Sequence, residues 1–508
     1  MIAVVDFGSQ TAHLISRRIK ELGVKTEIIS PSESFKKIKE LKPSGIILSG
    51  GPASVYEKGA PSIDPRIYSL NIPILGICYG FMITSKLLGG KVVSGKKEYG
   101  PATLAITNGK TPIADKLLKK STVWMSHGDE IVKLPKGFEI IGSTSSVPFA
   151  FVENKSRKIF GVLFHPEVEH TEIGNQFLEN FVKVSKAQRD FVKKEVGEII
   201  QEIKSKVGDF CVIGAVSGGV DSTVAGVLVS KAIGGRFLPV FVDNGLMREG
   251  TRKHVEWIFK RYKTKVIVVD AKTETLRKLK GVSDPEKKRK IIGKFYIEIF
   301  EKEMKKLVMK EIKIKFLMQG TIYSDVIESK GTKHADKIKS HHNVGGLPKK
   351  MNLKLLEPLR ELYKDEVRKI GTMVGLPEEF VQKQPFPGPG YAIRIRGEVT
   401  KERLEKEKVA DKIILEELGK VIDMKTIYMS FPIMTGAYST AVKGDGRSFS
   451  EVVALRIIES RDVMTTTWAK IPYDVLQKIS SRIVNEVPNV SRVVYDITTK
   501  PPATMEWE

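Results

Sequence analysis

Cysteine is nearly missing from this chain of 508 residues: there are two, Cys78 and Cys211. Two cysteines cannot build a disulfide framework or a zinc cluster, and that points to a reducing, cytoplasmic setting. No Cys or His spacing suits a metal. No apolar run approaches the ~18 residues that a bilayer-spanning helix requires. The opening stretch Met1-Ile2-Ala3-Val4-Val5-Asp6 lacks the basic flank and cleavage site of a signal peptide and reads as a first strand. Internal repeats and low-complexity tracts are missing as well. Acidic residues are in deficit, 60 against 84 Lys and Arg, for a formal net charge of +24. A surplus of that size attracts nucleic acid or acidic membranes. The lysines, however, are scattered through helical stretches such as Lys36 to Lys42, Lys287 to Lys294 and Lys305 to Lys315, in the manner of solvated helix faces. Neither a membrane nor a nucleic acid is therefore expected as a partner.

What is present suits several buried cores: 41% of the residues are hydrophobic and 28% charged, the balance of a soluble globular protein. The length predicts about three domains. Residues 1–187 alternate short β-rich runs (Ile2–Val5, Gly45–Leu48, Ile74–Ile77, Val123–Met125, Gly161–Phe164) with helical stretches (Ala12–Leu22, Phe81–Leu88), which predicts an α/β domain with a mainly parallel sheet. A charged helical linker is expected over Ser185 to Lys206. A second α/β domain, 188–386, has strands at Phe210–Val216, Leu238–Val242, Lys265–Val269 and Phe316–Gln319. Gln384-Pro385-Phe386-Pro387-Gly388-Pro389-Gly390 interrupts any regular element and marks the next boundary. The tail, 387–508, reads as a smaller α+β domain. Its expected helices are Lys401–Leu418, Glu451–Glu459 and Pro472–Val487, and its strands Lys425–Phe431 and Ser491–Ile497.

Two segments carry chemistry. Ser217-Gly218-Gly219-Val220-Asp221-Ser222 sits between a buried strand and an apolar helical stretch. Strand, small-residue turn and helix aim backbone N–H groups and a helix N-terminus at an anion. Paired glycines let the backbone approach a phosphate, and Ser217 and Ser222 add hydroxyls. The spacing and lysine of a Walker loop are missing; the string resembles the PP-loop of ATP pyrophosphatases, which cut ATP between its α and β phosphates. In the other segment, Gly76-Ile77-Cys78-Tyr79-Gly80, Cys78 directly follows a strand and precedes a helix, as a nucleophile elbow requires. The helix N-terminus favours its thiolate. His165, in Gly161-Val162-Leu163-Phe164-His165-Pro166-Glu167, is the candidate base, oriented by Glu167. Backbone N–H groups of Ser49-Gly50-Gly51-Pro52, Gly51 in particular, and of Tyr79 are candidate oxyanion donors, worth ~3–4 kcal/mol each. This set resembles a class I glutamine amidotransferase, and the resemblance implies hydrolysis of the glutamine amide through a glutamyl thioester. Ser126-His127-Gly128-Asp129 fits the same family, where it helps form the glutamine pocket.

Further residues join the PP-loop. Asp221 is a candidate metal or phosphate-organising group, Val242 a candidate adenine contact, and Met318-Gln319-Gly320-Thr321-Ile322-Tyr323-Ser324-Asp325 would line the same crevice at the strand ends. Lys339, in the cluster Ile338 to Pro348, reads as a fixed-charge clamp on a mobile lid. The tail Lys500-Pro501-Pro502-Ala503-Thr504-Met505-Glu506 sets a cation and a carboxylate on a rigid turn. With Gly444-Asp445-Gly446-Arg447 and the Pro387-Gly388 turn, these motifs cover essentially the whole chain and resemble the glutamine-hydrolysing GMP synthase family. That resemblance implies ATP with Mg²⁺, XMP and glutamine as reactants, an adenyl-XMP intermediate, and a homodimer formed through the C-terminal domain. It places XMP near Lys294, Pro387, Gly388, Lys500 and Glu506.

The chain departs from the family pattern at three places. Met82 and Leu163 stand where glutamines are usual, and Lys294 where an arginine is common; lysine keeps the charge but loses the bidentate fork, which lowers the expected XMP affinity. Two other readings are an ammonia-dependent synthase with a weakened amidotransferase domain and a tRNA-modifying PP-loop enzyme. The second needs a reactive cysteine beside the adenylate, and Cys211, expected inside an apolar strand and turned to a core, does not supply one. A methionine cannot hydrogen-bond glutamine or brace an oxyanion loop, so Met82 predicts weak or gated glutaminase activity. Met82→Gln should raise kcat/KM for glutamine in a glutamate-release assay; an unchanged value removes Met82 from the account.

Overall fold

The computed structural model describes residues 1–9, 11–191, 195–309, 312–323, 325–326, 353–443, 446–460, 466–500 and 503–508. They fall into two compact units, Met1–Lys193 and Lys194–Glu508.

In the first unit the strands β1 (Ile2–Val5), β2 (Thr26–Ile29), β3 (Gly45–Leu48) and β4 (Ile74–Ile77) run parallel. The strands β5 (Lys91–Ile106), β6 (Lys120–Lys133), β7 (Glu139–Ser143), β8 (Phe151–Asn154) and β9 (Ile159–Val162) complete a sheet of order β2-β1-β3-β4-β9-β8-β7-β5-β6. β9 is parallel to β4, and the pairings beyond it are antiparallel. β1, β3, β4 and β9 are buried along their whole length. This is why they read as continuous apolar runs: helices cover both faces of a parallel sheet. β6 is far longer than the expected Val123–Met125, and from Ser121 to Ile131 its burial alternates as a one-faced strand does. Of the helices, α1 (Ala12–Glu21) buries Ala12, Ile15, Ser16 and Ile19, α2 (Ser34–Leu41) buries Ile38, and α3 (Tyr79–Leu87) buries Tyr79 through Ser85.

The expected linker helix from Ser185 does not form. The helix α4 (Gly174–Val184) stops there, and Lys186 takes φ +50°, outside the helical region. A new helix, α5 (Val196–Val207), starts where Glu195 and Glu198 form a reciprocal capping box.

The second unit contains a five-stranded parallel sheet. Its strands are β10 (Cys211–Ala215), β11 (Phe237–Asp243), β12 (Ile267–Asp270), β13 (Ile314–Met318) and β14 (Lys354–Leu356), in the order β12-β11-β10-β13-β14. β10 is thus flanked by the next strand on one side and a much later one on the other, a topological switch point. The helices α6 (Val220–Ile233), α7 (Thr251–Arg261), α8 (Lys272–Leu279) and α9 (Pro285–Val308) belong to this part, followed by α10 (Lys364–Met373) and α11 (Glu378–Val381).

A second sheet is built on the hairpin of β15 (Met429–Lys443) and β16 (Gly446–Glu459), with β17 (Thr467–Trp468) antiparallel and β18 (Val490–Tyr495) parallel to β16. The helices α12 (Lys401–Gly419) and α13 (Tyr473–Glu486) agree with the expected pattern. The stretch Glu451–Glu459, expected as a helix, is strand instead. Val453, Leu455 and Ile457 enter one core while Ala454 and Ile458 enter another. Burial of both faces turns the alternation into an apolar run that does not separate strand from helix.

Within α12 lies a buried acid that the sequence pattern did not single out. Glu407 is fully buried, and neither carboxyl oxygen has a hydrogen-bond partner among the described residues. Burial pushes its carboxyl well above the ordinary carboxylate range, against the pull of Arg394. The unfolded chain releases this proton in the ordinary range, the folded chain only well above it. Folding stability therefore falls as pH rises through that window and levels off beyond it. Glu407→Gln, which keeps the shape without titrating, should raise Tm by roughly 2–4 °C at pH 8 and leave it unchanged near pH 4; equal shifts at both pH values in thermal melts would rule out titration of this group.

Candidate active sites

In the first unit Cys78 ends β4 and serves as the N-cap of α3 without a side-chain cap bond. Its backbone lies at φ +49°, ψ −108°, a strained conformation for a residue with a Cβ, costing ~1–3 kcal/mol. Its Sγ donates to the carbonyl oxygen of Ser126 at 3.5 Å. Tyr79 is the first helical residue, and its N–H has no acceptor within the helix, which leaves it available to an oxyanion.

His165 is buried, and its Nδ1 lies 2.8 Å from Glu167 Oε1, itself entirely buried. Burial alone disfavours the imidazolium; the carboxylate of Glu167 and the sulfur of Cys78 outweigh it and hold the His165 pKa well above the usual value. Gly50 packs against both His165 and Cys78, since a Cβ there would come 3.1 Å from His165 Cε1 and 3.9 Å from Cys78 Cβ. Gly51 lies over Phe7 and the Tyr79 ring.

The segment 126–129 is where the glutamine pocket was expected. Asp129 accepts from Ser54 Oγ at 3.0 Å and Tyr56 OH at 2.9 Å, and His127 Nδ1 donates to the Asp129 carbonyl at 3.0 Å. Burial keeps the His127 pKa below its usual value. Met82 and Leu163 are both buried in the core of this unit. Cysteine, histidine and carboxylate are thus placed in the order that a nucleophile, a base and an orienting acid would need for acyl transfer.

In the second unit the loop Ser217 to Ser222 leaves β10 at the switch point and opens α6, with Gly219 as N-cap. Ser217 Oγ and Ser222 Oγ are 3.0 Å apart, and Ser222 Oγ accepts the Ser217 N–H at 3.2 Å. Gly218 has φ +81°, and a Cβ there would press on Thr251 Cγ2 at 2.5 Å. Gly320, just after β13, packs against Ser222, which places the 318–323 segment along the same crevice. Val220 and Val242 are buried, Val242 in the core under the sheet with Ile213 and Val240.

Asp221 Oδ2 pairs with Lys364 Nζ at 2.5 Å, while its Oδ1 is buried without a partner among the described residues. One orphaned carboxylate oxygen beside this glycine-rich loop is the kind of ligand that would fit a Mg²⁺ taking its other ligands from water and nucleotide phosphates. Among the described residues no cluster of three or more His, Cys, Asp or Glu could hold a metal alone. Sequence reasoning missed Lys364, which is more than a hundred residues from the loop and sits in no recognisable motif. It also missed Lys383, whose amine is pushed down to about 8 by burial and by the Arg248 charge.

The tail is held firmly. Arg394 binds Glu506 with Nη2–Oε1 at 3.0 Å and Nε–Oε2 at 3.2 Å. Lys288 Nζ, fully buried on α9, meets Glu508 Oε2 at 2.5 Å. Lys294 projects from the same helix, 81% exposed and 4.0 Å from Glu298. Lys500 pairs its backbone with Thr466 at 3.0 Å in both directions. Pro387 is half-buried and Gly388 exposed. Lys339, with the rest of 338–348, and Gly444-Asp445 lie outside the described residues; Gly446 and Arg447 begin β16.

Cys211 departs from expectation, since its side chain is half-exposed and not buried in the core. It nevertheless stands at the start of β10, and the loop leaves the other end, ~13 Å away at 3.3 Å per residue. That distance, not burial, argues against a thiolating role beside the adenylate.

Comparison with known proteins gives a consistent result. The family model described as glutamine amidotransferase class-I matches residues 3–184, and the one described as GMP synthase C terminal domain matches 416–507. The chain is 52% identical to a GMP synthase (glutamine-hydrolyzing) of Aquifex aeolicus, over 100% of this chain and 99% of that protein. Proteins of the same name from Nitratiruptor sp. and Staphylococcus aureus are 50% and 49% identical, over 100% of this chain and 99% and 98% of theirs.

Gly218→Ala must leave the left-handed region and move Thr251. It should weaken binding of pyrophosphate by tenfold or more in calorimetry while the rate of Cys78 alkylation by iodoacetamide stays unchanged. Unaltered pyrophosphate affinity would remove the loop from phosphate binding.

Proposed function

The chain belongs to the glutamine-hydrolysing GMP synthase family, and from that premise we propose which of its residues carry each half of the conversion of XMP to GMP. The observation that supports the first assignment best is His165, whose Nδ1 is fixed at 2.8 Å by the buried Glu167 carboxylate while Gly50 packs against both His165 and Cys78.

In the first half the Cys78 thiolate attacks the side-chain carbonyl carbon of glutamine. The oxyanion is met by the N–H groups of Gly51 and Tyr79. His165, protonated and steadied by Glu167, gives its proton to the leaving nitrogen, and ammonia departs from a glutamyl thioester. Water then attacks the thioester carbonyl, His165 takes a proton from it, and glutamate leaves as the thiolate re-forms. Met82 and Leu163 bear on how fast this runs.

In the second half the loop Ser217, Gly218, Gly219, Val220, Asp221 and Ser222 holds the phosphates of ATP, with Val242 beneath the adenine. The C2 oxygen of XMP attacks the α phosphorus, pyrophosphate leaves, and adenyl-XMP results. Ammonia adds at C2, AMP leaves and the added nitrogen gives up a proton to water, giving GMP. Mg²⁺, when bound, would be held by Asp221 Oδ1 and would offset charge on the phosphates. Lys364 neutralises the other Asp221 oxygen from α10. Lys339 completes the phosphate clamp in this reading.

XMP is assigned to Lys294, Pro387, Gly388, Lys500 and Glu506. What supports this is that α9 carries both Lys294 and, about 9 Å along the helix, Lys288, which grips the tail at Glu508. Glu506, though bound to Arg394, keeps acceptor capacity on both oxygens for ribose hydroxyls. A homodimer through the 387–508 domain and a cytoplasmic setting belong to the same reading. The first is supported by a stacked, exposed Tyr438–Phe449 pair with Val442 on the β15–β16 hairpin, and the second by two unpaired cysteines.

The test is GMP and AMP formation from XMP and Mg-ATP with glutamine or ammonium chloride as nitrogen donor. Cys78→Ala should abolish the glutamine-driven rate and keep the ammonium-driven one. A wild type that turns over with ammonium alone would establish the ammonia-dependent alternative, and silence with both donors would sink the assignment of the second site.

A further inference from the structure

We propose that Thr11 is a positioning residue for glutamine hydrolysis, acting on His165 through Glu167. The inference rests on the amidotransferase reading of Cys78, His165 and Glu167. Thr11 Oγ1 donates to Glu167 Oε1 at 2.6 Å, the same oxygen that meets His165 Nδ1 at 2.8 Å. Glu167 is entirely buried, and its Oε2 has no partner among the described residues. Among the described residues, one carboxylate oxygen therefore carries the whole side-chain link between the acid and its surroundings. With the imidazole as its only side-chain partner, the carboxylate could swing about its terminal torsion, which is broad. A second donor on the same oxygen fixes that torsion and so the ring that follows it.

The position of Thr11 makes a capping role an insufficient account. It is the N-cap residue of α1, where a threonine hydroxyl ordinarily accepts a backbone N–H of the first turn and contributes about 1 kcal/mol. Here the hydroxyl makes no cap bond. Its proton goes to Glu167, and its lone pair faces Ser9 Oγ at 2.9 Å, so Ser9 donates to Thr11 and Thr11 to Glu167. Ser9 Oγ also accepts the Thr11 backbone N–H at 3.1 Å. The turn itself is fixed by Asp6, whose Oδ1 accepts the N–H groups of Gly8 and Ser9 at 2.9 and 3.0 Å. From the other side Arg18 Nε donates to the Glu167 carbonyl at 3.2 Å, so α1 holds the backbone of Glu167 as well as its carboxylate. The start of α1 is thus directed to the catalytic acid, and Ser9 stands where a Cβ on Gly50 would meet it at 3.6 Å, on the nucleophile's side of the pocket.

The experiment uses the full chain with XMP and Mg-ATP. Thr11→Val keeps the shape and removes the hydroxyl; Thr11→Ser keeps the hydroxyl. Thr11→Val should lower kcat for glutamine about tenfold, the effect of one hydrogen bond to a charged group, with KM, Tm and the ammonium-driven rate unchanged. Thr11→Ser should restore kcat. Wild-type kcat in Thr11→Val overturns the proposal, as does a loss that Thr11→Ser shares or one that tracks a falling Tm. Cys78→Ala separates the two levels of the argument. If the wild type and Cys78→Ala release glutamate equally, the amidotransferase reading itself has failed; if only Cys78→Ala is dead and Thr11→Val is normal, the positioning role alone has failed.

Discussion

Arg456 has no accessible surface, and a buried guanidinium must find acceptors on every side. It finds them in the tail: Asp496 Oδ2 at 2.7 Å, the carbonyl of Thr498 at 3.3 Å, that of Thr504 at 2.7 Å and that of Met505 at 3.0 Å. Because Arg456 lies on β16, a strand with partners on both sides, the tail is fixed to a sheet at Asp496, Thr498, Thr504 and Met505 and not left to fray there as termini usually do. Arg394, equally buried, repeats the arrangement with Glu506 and stacks over Phe431 at 4.0 Å and Phe386 at 4.7 Å. Through these two cations the proline-rich turn around Pro387, the β15–β16 sheet and the tail become one construction. The proposed XMP site inherits its rigidity from them. Removing either partner would leave a charge stranded in a dry interior, which is far more disruptive than the loss of one exposed ion pair.

The backbone geometry of both candidate sites was legible in the sequence where it is local. Cys78 between a strand and a helix, and the Ser217–Ser222 loop between another pair, are each a handful of consecutive residues whose spacing alone dictates the geometry. The parallel strands β1, β3 and β4 were equally plain, since both faces are buried and the apolar runs are unbroken; β2 and β14, part-exposed at the edges of their sheets, were not expected. Legibility ends where a partner comes from far away. Lys364 reaches Asp221 across 143 positions, and Thr11 reaches Glu167 across 156. Neither residue type is distinctive, so no signal short of a fold could have found them. The helix expected at Glu451–Glu459 failed for a different reason: two cores, one on each face, erased the alternation that identifies a strand. Cys211 was misjudged because the first residue of a buried strand is still at its edge.

The two sites treat strain and charge in opposite ways. At Cys78 the backbone is held in an unfavourable conformation by a unit whose core surrounds it on both sides of the sheet, so the geometry is set before glutamine arrives. At the phosphate loop the unfavourable element is a glycine, for which the left-handed region carries no penalty. The electrostatic ingredients there are an ion pair and an orphaned carboxylate oxygen, left for ligands to complete. On the proposed assignments the first site is preorganised and the second is completed by its substrates. That difference suits an enzyme in which ammonia is of use only once an acceptor is in place.

The strand order of the parallel sheet has a consequence for how the chain comes into being. β10 pairs with β13, Cys211 with Ile314, a separation of 103 positions (314 minus 211), and the crevice proposed for phosphate lies at that junction. Contacts so distant in sequence require closing a long loop before they repay it, and they are slow to appear. During synthesis at ~5–20 residues per second, the crevice cannot assemble until several seconds after its loop has emerged. Throughout that interval β10 exposes an unpaired edge. The first unit by then has its full complement of strands and can fold ahead of it, so the nascent chain is most open to misassembly while β10 awaits β13.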